Sequence, residues 1–334
     1  MPLCDHGAVG IIELERVTAR HWRGSEEQWL GGWLLRAAEG FTGRANSALP
    51  LGDPGLSLDA ALAEVTGWYR ARALSPMIAV PLPLDGAEVP AESSALRNFD
   101  NQLSERHWLT RPGPAYVMTA DLDALAAASA LPPGAAFRVD DTPDDAWLGM
   151  YHYRGQQRQP PISRTVLMSA PSQGFASIRA DAGEEVLAIG RLSIADGWAG
   201  ITAVEVNPAH RRRGLGVALT LAICAEAASR AARRVFLQVE TDNAAALRLY
   251  ERCGLSYSHR YHYRVARNLA TPQPPSAYSA IGPSGRHAGY RCFRERRGSR
   301  YVCHHGYPCA QGLGSFSRRT ASRCPRRVRQ RRAA

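Results

Sequence analysis

Lysine is missing from this chain: all 41 basic side chains are arginine. That bias points to a genome rich in G and C rather than to a nucleic-acid role. No apolar run reaches about 18 residues, so no transmembrane helix and no membrane partner are expected. The N-terminus carries Asp5, Glu13 and Glu15 and lacks the pattern of a signal peptide, which makes the cytoplasm the expected location. The phosphate-binding pattern GxxxxGK[ST] is absent. So is the three-glycine fingerprint that opens a dinucleotide-binding βαβ unit.

The formal charge of +11 over 334 residues is unevenly spread. Residues 271–334 hold 14 Arg and one acid, Glu295, a net +13, so residues 1–270 stand at −2. The body is therefore nearly neutral, and its overall charge says little about its substrate. In the tail Pro, Gly, Ser and Arg dominate without apolar periodicity, so 269–334 is expected to be a disordered, Arg-rich extension. Any contact with nucleic acid is confined to it. Of the seven cysteines, Cys4, Cys224 and Cys253 lie scattered in the body and read as reduced packing residues. Cys303, His304, His305 and Cys309 lack the spacing of a regular zinc finger, and no metal is expected.

Along the body, two runs of elements are legible. The strands of the first are Gly32 to Arg36 and Arg44 to Leu49, paired through Glu39-Gly40, then Met77 to Val80 and Tyr116 to Ala120. Ser57 caps a helix with Leu58, Ala61, Leu62, Val65 and Trp68 on one face, and a second helix covers about Leu96 to His107. Leu131-Pro132-Pro133-Gly134 closes a linker. The second run has a strand at Ala136 to Val139, then a helix capped by Thr142 with Pro143 at its first position. A polar loop at Gln156 to Pro161 is a candidate substrate loop. A meander follows: Phe175 to Ala180, Val186 to Ile194 and Trp198 to Val206, turning at Asp181-Ala182-Gly183 and Asp196-Gly197. Helix 214–230, strand Val235 to Val239, helix Ala244 to Cys253 and strand His259 to Val265 complete it. Leu103 to Leu109 matches Leu249 to Leu255 at four of seven positions, which suggests an internal repeat.

No Asp or Glu occurs from 208 to 225. Within that stretch Arg211-Arg212-Arg213-Gly214-Leu215-Gly216 joins the strand ending at Val206 to a helix. Unpaired N–H groups and the helix dipole favour an anion there. Glycine lets a ligand approach the backbone, and arginine adds forked donors. The combination is a seat for a pyrophosphate.

This stretch resembles the Arg/Gln-x-x-Gly-x-Gly/Ala signature of the GCN5-related N-acetyltransferases. The resemblance runs on through Glu240-Thr241-Asp242-Asn243 and Ala246 to Leu255, and covers roughly 135–267. It implies an α/β fold with a mixed central sheet, and acetyl-coenzyme A as cosubstrate. The amides of Arg211, Arg212, Arg213, Gly214, Leu215 and Gly216 would hold the pyrophosphate, with Val217 continuing the cradle. Backbone groups of Val204 and Val206 would pair with pantetheine at a local splay of strands. Asn243 is similar to the family asparagine that contacts the pantetheine arm; it is also placed to cap the helix that follows. Tyr250 stands where the family places a tyrosine near the coenzyme sulfur, as general acid. Ribosomal-protein acetyltransferases place a glutamate where this chain has Gln238, which leaves Glu205 and Glu240 as candidate bases.

The tandem layout is similar to mycothiol synthase. Trp29-Leu30-x-Gly32-Trp33-Leu34-Leu35-Arg36-Ala37 and Ala45-Asn46-Ser47-Ala48 are similar to an actinobacterial group labelled N-acetylglutamate synthase. The expected organisation is a degenerate copy of the acetyltransferase unit at 1–127, a linker at 128–134, a catalytic unit at 135–268 and the tail. The first copy lacks the basic glycine loop, and Gly52-Asp53-Pro54-Gly55 in its place carries an acid. The expected activity is N-acetylation of a primary amine on a small metabolite, such as glutamate or another amino acid. A cysteinyl sugar or a peptide N-terminus remains open as acceptor, and so does an inactive coenzyme-binding regulatory module.

Overall fold

The computed structural model describes residues 9–86, 91–125, 131–152, 159–180 and 185–267. Two sheets carry the fold. Strands β1 (Glu26–Leu30), β2 (Trp33–Ala37) and β3 (Leu49–Pro50) form a small antiparallel sheet in that order. The other eight are β4 (Met77–Leu82), β5 (Leu109–Asp121), β6 (Ala135–Asp140), β7 (Ser172–Ala180), β8 (Val186–Ala195), β9 (Trp198–Val206), β10 (Arg234–Glu240) and β11 (Ser256–Val265). They form one mixed sheet in the order β4-β11-β5-β10-β9-β8-β7-β6.

The helices are α1 (Ile11–His21), α2 (Leu58–Arg70), α3 (Ala91–Glu105), α4 (Asp145–Met150), α5 (Ile162–Leu167), α6 (Leu215–Ser229) and α7 (Ala244–Arg252). Helix α6 buries Leu215, Ala218, Leu219, Ile223, Cys224 and Ala227. Together with Ile178, Leu192, Ile201, Val235, Leu237 and Val239 of the sheet they form the largest apolar cluster. A helix apolar on so many sides is buried on more than one of them, here by the sheet and by α7.

The β4–α3–β5 order recurs as β10–α7–β11, and the final strands are exchanged. Strand β11 pairs with β4, β5 pairs with β10, and β5 and β11 lie antiparallel between them. Polar contacts tie β11 to the helices of the first half. His259 Nε2 lies 2.8 Å from Glu15 Oε1, with both side chains buried. Asp100 of α3 meets Arg264 Nε at 2.7 Å and His262 Nε2 at 2.8 Å on β11.

Three local expectations need correction. Arg44 to Leu49 is not a continuous strand: Arg44–Asn46 is a 3-10 turn, only Leu49–Pro50 pairs with β2, and the longer partner of β2 is the preceding β1, through the Gly31-Gly32 turn. The Asn46 side chain favours this, because it binds five backbone groups of the preceding loop. Helix α4 is capped by Asp144, not Thr142; Asp144 Oδ1 accepts from Trp147 N at 2.8 Å. Helix α3 starts at Ala91, earlier than its apolar pattern suggests. The Asp196-Gly197 turn has φ of 52° and 74°, the left-handed pair a tight hairpin requires. The turn at 181–183, the first residues of the 156–161 loop and everything proposed for the tail, including Cys303 to Cys309, lie outside the described residues.

Candidate active site

Strands β9 and β10 run parallel from Trp198/Arg234 to Ile201/Leu237 and pair no further. Beyond that point β10 stays with β5, as Gln238↔Val117, Val239↔Tyr116 and Glu240↔Ala115. Strand β9 stays with β8, but its register shifts between Arg191↔Thr202 and Ile189↔Glu205. Ala203 and Val204 thus face the single residue Gly190, which is a β-bulge, and Ala203 adopts φ of +55°. The bulge bends β9 away from β10. Glycine at 190 lets α6 pack closely on the bulge, since an added Cβ would meet Ile223 Cδ1 at 2.7 Å and push that side chain aside.

The gap opens into a cleft of about 1030 Å³. Val204 and Val206 form one wall, Arg211, Arg212 and Gly214 to Val217 the mouth, and α7 from Ala245 to Arg252 the other wall. At the mouth Asn207 caps a short turn by accepting from Ala209 N at 3.1 Å. Arg212 and Gly214 then take left-handed φ of 67° and 80°. An added Cβ at Gly214 would meet nothing within 4 Å, so its backbone conformation is what favours glycine. Gly216 differs: its Cβ would meet Leu249 Cδ1 at 2.5 Å, so glycine lets α6 approach α7. Arg211 Nε donates to the Val206 carbonyl at 3.2 Å. Arg213 turns away, to His210 Nδ1 at 3.4 Å, while His210 Nε2 lies 2.9 Å from Glu185.

Tyr250 lines the cleft from α7 and is 8% exposed. Its hydroxyl has no hydrogen-bond partner among the described residues. Burial, with Cys253 nearby, pushes its ionisation above the ordinary range, so the phenol keeps its proton.

Strand alternation puts other groups on the opposite face. Val235, Leu237 and Val239 pack toward α6, so Gln238 and Glu240 face away from it. Glu205, between Val204 and Val206, faces away as well. Glu205 Oε1 accepts from His152 N at 2.6 Å, and Oε2 lies 3.3 Å from His152 Nδ1. Burial raises the Glu205 pKa, and the His152 bonds partly offset it.

Residues 9–264 match the family described as "Probable histone acetyltransferase Rv0428c C-terminal". The chain belongs to this family of GCN5-related N-acetyltransferases. The acetyltransferase is 30% identical over 268 residues to the probable histone acetyltransferase Rv0428c of Mycobacterium tuberculosis, spanning 78% of this chain and 75% of that protein. It is 25% identical to the uncharacterized N-acetyltransferase YobR of Bacillus subtilis, across 77% and 99% of the two chains. With the mycothiol acetyltransferase of Thermobispora bispora it shares 32% identity across 68% of each. In fold it is similar to a GCN5-related N-acetyltransferase from Kribbella flavida, with TM-score 0.54 and 17% identity, covering 73% of this chain and 90% of that one. A tandem protein of the clavulanic acid biosynthesis pathway also superposes at 0.54, with 16% identity and coverage of 66% and 74%.

Of the residues expected to form the site, the acetyltransferase brings Val204, Val206, Arg211, Arg212, Gly214, Leu215, Gly216, Val217 and Tyr250 to one cleft. Arg213 does not line it, and neither does Asn243, whose Oδ1 accepts from Ala246 N at 3.1 Å as the cap of α7. Glu205 stands behind the bulge, and Glu240 is exposed at the end of β10. Sequence reasoning missed Arg248 and Arg252 of the cleft wall, although their spacing of four puts both on one helical face. It also missed His152, which no local signal links to a glutamate 53 residues away.

Proposed function

We propose that the second half of the chain, 135–268, transfers the acetyl group of acetyl-coenzyme A to a primary amine of a small metabolite, with an amino acid as the leading acceptor class. The observation that carries this reading is the parting of β9 and β10 after Ile201/Leu237. It leaves the backbone of Val204 and Val206 without a strand partner on the cleft side, with Glu205 between them on the same strand. The donor then lies along β9, with its pyrophosphate on the amides of Arg211 to Gly216 and with Val217, Arg248 and Arg252 nearby.

The acceptor approaches from the other face. Glu205, ordered by His152, takes a proton from the ammonium form, directly or through water; Glu240 is the second carboxylate on that face. The free amine adds to the thioester carbonyl. When the tetrahedral adduct collapses, the C–S bond breaks, the Tyr250 hydroxyl protonates the departing thiolate, and the proton shed by the new amide nitrogen restores the phenol through water. Asn243 acts through its cap, which fixes the start of the α7 wall. Arg213 adds charge at longer range.

Residues 1–127 and 135–268 are two copies of one unit joined by 128–134, of which only the second binds coenzyme. The tail beyond 268 is not needed for catalysis. Among the described residues no helix is long and apolar enough to cross a membrane; this is consistent with a cytoplasmic enzyme. The identity to a mycothiol acetyltransferase supports a cysteinyl sugar as a second acceptor reading.

The test is acetyl-coenzyme A binding by calorimetry, followed by thiol release with amino acids, amino sugars and peptides. Turnover of amino acids supports the first reading, and a cysteinyl sugar as the sole substrate supports the second. Coenzyme binding without turnover of any amine would leave only a binding module.

A further inference from the structure

The loop between β2 and β3 carries a guanidinium that meets no carboxylate among the described residues. Arg44 is partly buried, its Nη1 donates to Gln238 Oε1 at 2.6 Å, and its Cζ lies 4.8 Å from the Trp22 ring centroid. Arg191, fully buried, approaches the same ring at 5.3 Å and donates to the carbonyls of Leu167 and His21 at 2.6 and 3.2 Å. Arg36, also buried, is held by the backbone and hydroxyl of Ser47, both at 3.2 Å. Among the described residues, the one carboxylate lining the crevice between Arg36, Arg44 and Gln238 is Glu15. It is already engaged, by His259 at 2.8 Å and by the Thr18 hydroxyl at 3.2 Å. Burial and then the neighbouring charge of Arg44 push Arg191 down to about 9.

Three guanidinium groups withdrawn from water beside one occupied acid are unfavourable on their own. The loop that holds Arg44 is nevertheless rigidly built. Asn46 Oδ1 accepts from Ala38 N and Gly40 N at 2.8 and 2.9 Å, and Nδ2 donates to the Phe41 and Thr42 carbonyls at 2.7 and 2.8 Å. Trp22 Nε1 donates to Thr42 Oγ1 at 2.9 Å. Glu39 and Thr42 are kept at left-handed φ of 49° and 61°. An added Cβ at Gly43 would strike the Tyr263 ring at 2.7 Å, so glycine seats the loop on β11. Strain retained in a fully bonded loop marks a position set for use.

The location is informative. Gln238 is the first residue of β10 beyond its last pair with β9, and it faces the side that carries Glu205. We propose that Arg44 is a specificity-determining residue that binds a carboxylate of the acceptor, so that the first half of the chain selects amino acids for the site in the second. This rests on the acetyl-transfer reading above. The neutral Gln238 orients the guanidinium without neutralising it, and leaves its remaining donors to form a fork on a planar anion.

The test compares kcat/KM for L-amino acids and their α-amides by thiol release. The wild type is expected to favour the acid by about tenfold or more, the worth of a charged hydrogen-bonded pair. In Arg44→Gln the acid-to-amide ratio falls to about one, while acetyl-coenzyme A affinity by calorimetry is unchanged. Gln238→Glu, which supplies an internal counter-ion, loses the ratio as well and keeps the fold. A wild-type ratio near one, or a ratio unchanged in both variants, overturns the proposal. If no amine is turned over, tryptophan fluorescence is titrated with N-acetyl-L-alanine and N-acetyl-L-alaninamide. Saturable binding of the acid alone, lost in Arg44→Gln, supports the carboxylate site even if acetyl transfer fails; equal or absent responses overturn it. Loss of coenzyme binding in the wild type would count against acetyl transfer and not against Arg44.

Discussion

Leu103 of α3 and Tyr250 of α7 occupy equivalent positions. The carbonyl of each accepts the N–H five residues later at 3.0 Å, from Trp108 and Leu255 respectively. In each case the residue before that donor is left-handed, His107 at 61° and Gly254 at 96°. The seven-residue sequence match is therefore shifted by one residue from the structural equivalence. In the first half a leucine stands where the second half has a phenol. A cleft of about 400 Å³ beside α3 is lined by Leu51, Pro54, Leu56, Leu96 and Phe99 and, among the described residues, by no arginine.

Tyr250→Phe keeps the ring and removes the proton donor. The expected result is a kcat lower by about 10²–10⁴ with KM for acetyl-coenzyme A nearly unchanged. Steady-state thiol release checks this. A wild-type rate where chemistry is limiting would make Tyr250 a packing residue.

Coenzyme should bind with a stoichiometry of one. Gly214→Asp adds a carboxylate at an open position beside the pyrophosphate seat, and Gly214→Asn imposes the same backbone conformation without charge. The aspartate should weaken binding by about tenfold or more relative to the asparagine, since like charges about 4 Å apart near a surface cost of order 1–4 kcal/mol. Calorimetry giving equal affinities for the pair, or two sites per chain, contradicts the assignment. Gly216 is unsuitable for this test, because Leu249 occupies the space.

Glu205 must be ionised to accept a proton. Burial raises its pKa, so the acid limb of kcat/KM should lie above the ordinary glutamate value of about 4.3. The bonds from His152 favour the charged form, so His152→Ala should move that limb to higher pH. Glu205→Gln should abolish it. An acid limb that stays in place in both variants assigns the base elsewhere.

Asp100 ties α3 to β11. Burial alone would raise its pKa, but hydrogen bonds from His262 and Arg264 prevail and hold it below the usual carboxylate range. A lowered folded-state pKa contributes stability above the unfolded value of about 3.9, and that stability is lost as pH falls below it. Asp100→Asn should cost about 3 kcal/mol near neutral pH, because it leaves Arg264 buried without its counter-ion. Chemical denaturation at several pH values should show the gap between the two proteins closing in acid. A pH-independent gap would mean packing, not charge.

A chain ending at Asn268 should keep its melting temperature and coenzyme affinity, because β11 is complete at Val265. Insolubility of that shorter chain would give the tail a structural role.

Local chemistry explains what was legible. The alternation of β7 to β9, the Asp196-Gly197 turn, the apolar α6 and the glycine-arginine loop depend on neighbours within a few residues. Their places were readable from the sequence. The Ser57 cap was readable too, whereas the α4 cap moved to Asp144, a choice between adjacent polar residues that packing decides.

Contacts across long stretches of chain were decided by the tertiary structure alone. Nothing local in β5 or β11 specifies that each pairs into the other half, since strand pairing depends on which edges the whole fold leaves open. The same holds for Glu205 with His152 and for Arg44 with Gln238, which meet across 53 and 194 residues. The sequence by itself determined the proposed donor side, a strand, a basic loop and a helix N-terminus contiguous in the chain. The proposed acceptor side draws on α1, the β2–β3 loop, the residue after α4 and two strands, brought together by the tertiary structure. The contacts proposed for it depend on the bulge at Ala203, after which β9 and β10 no longer pair.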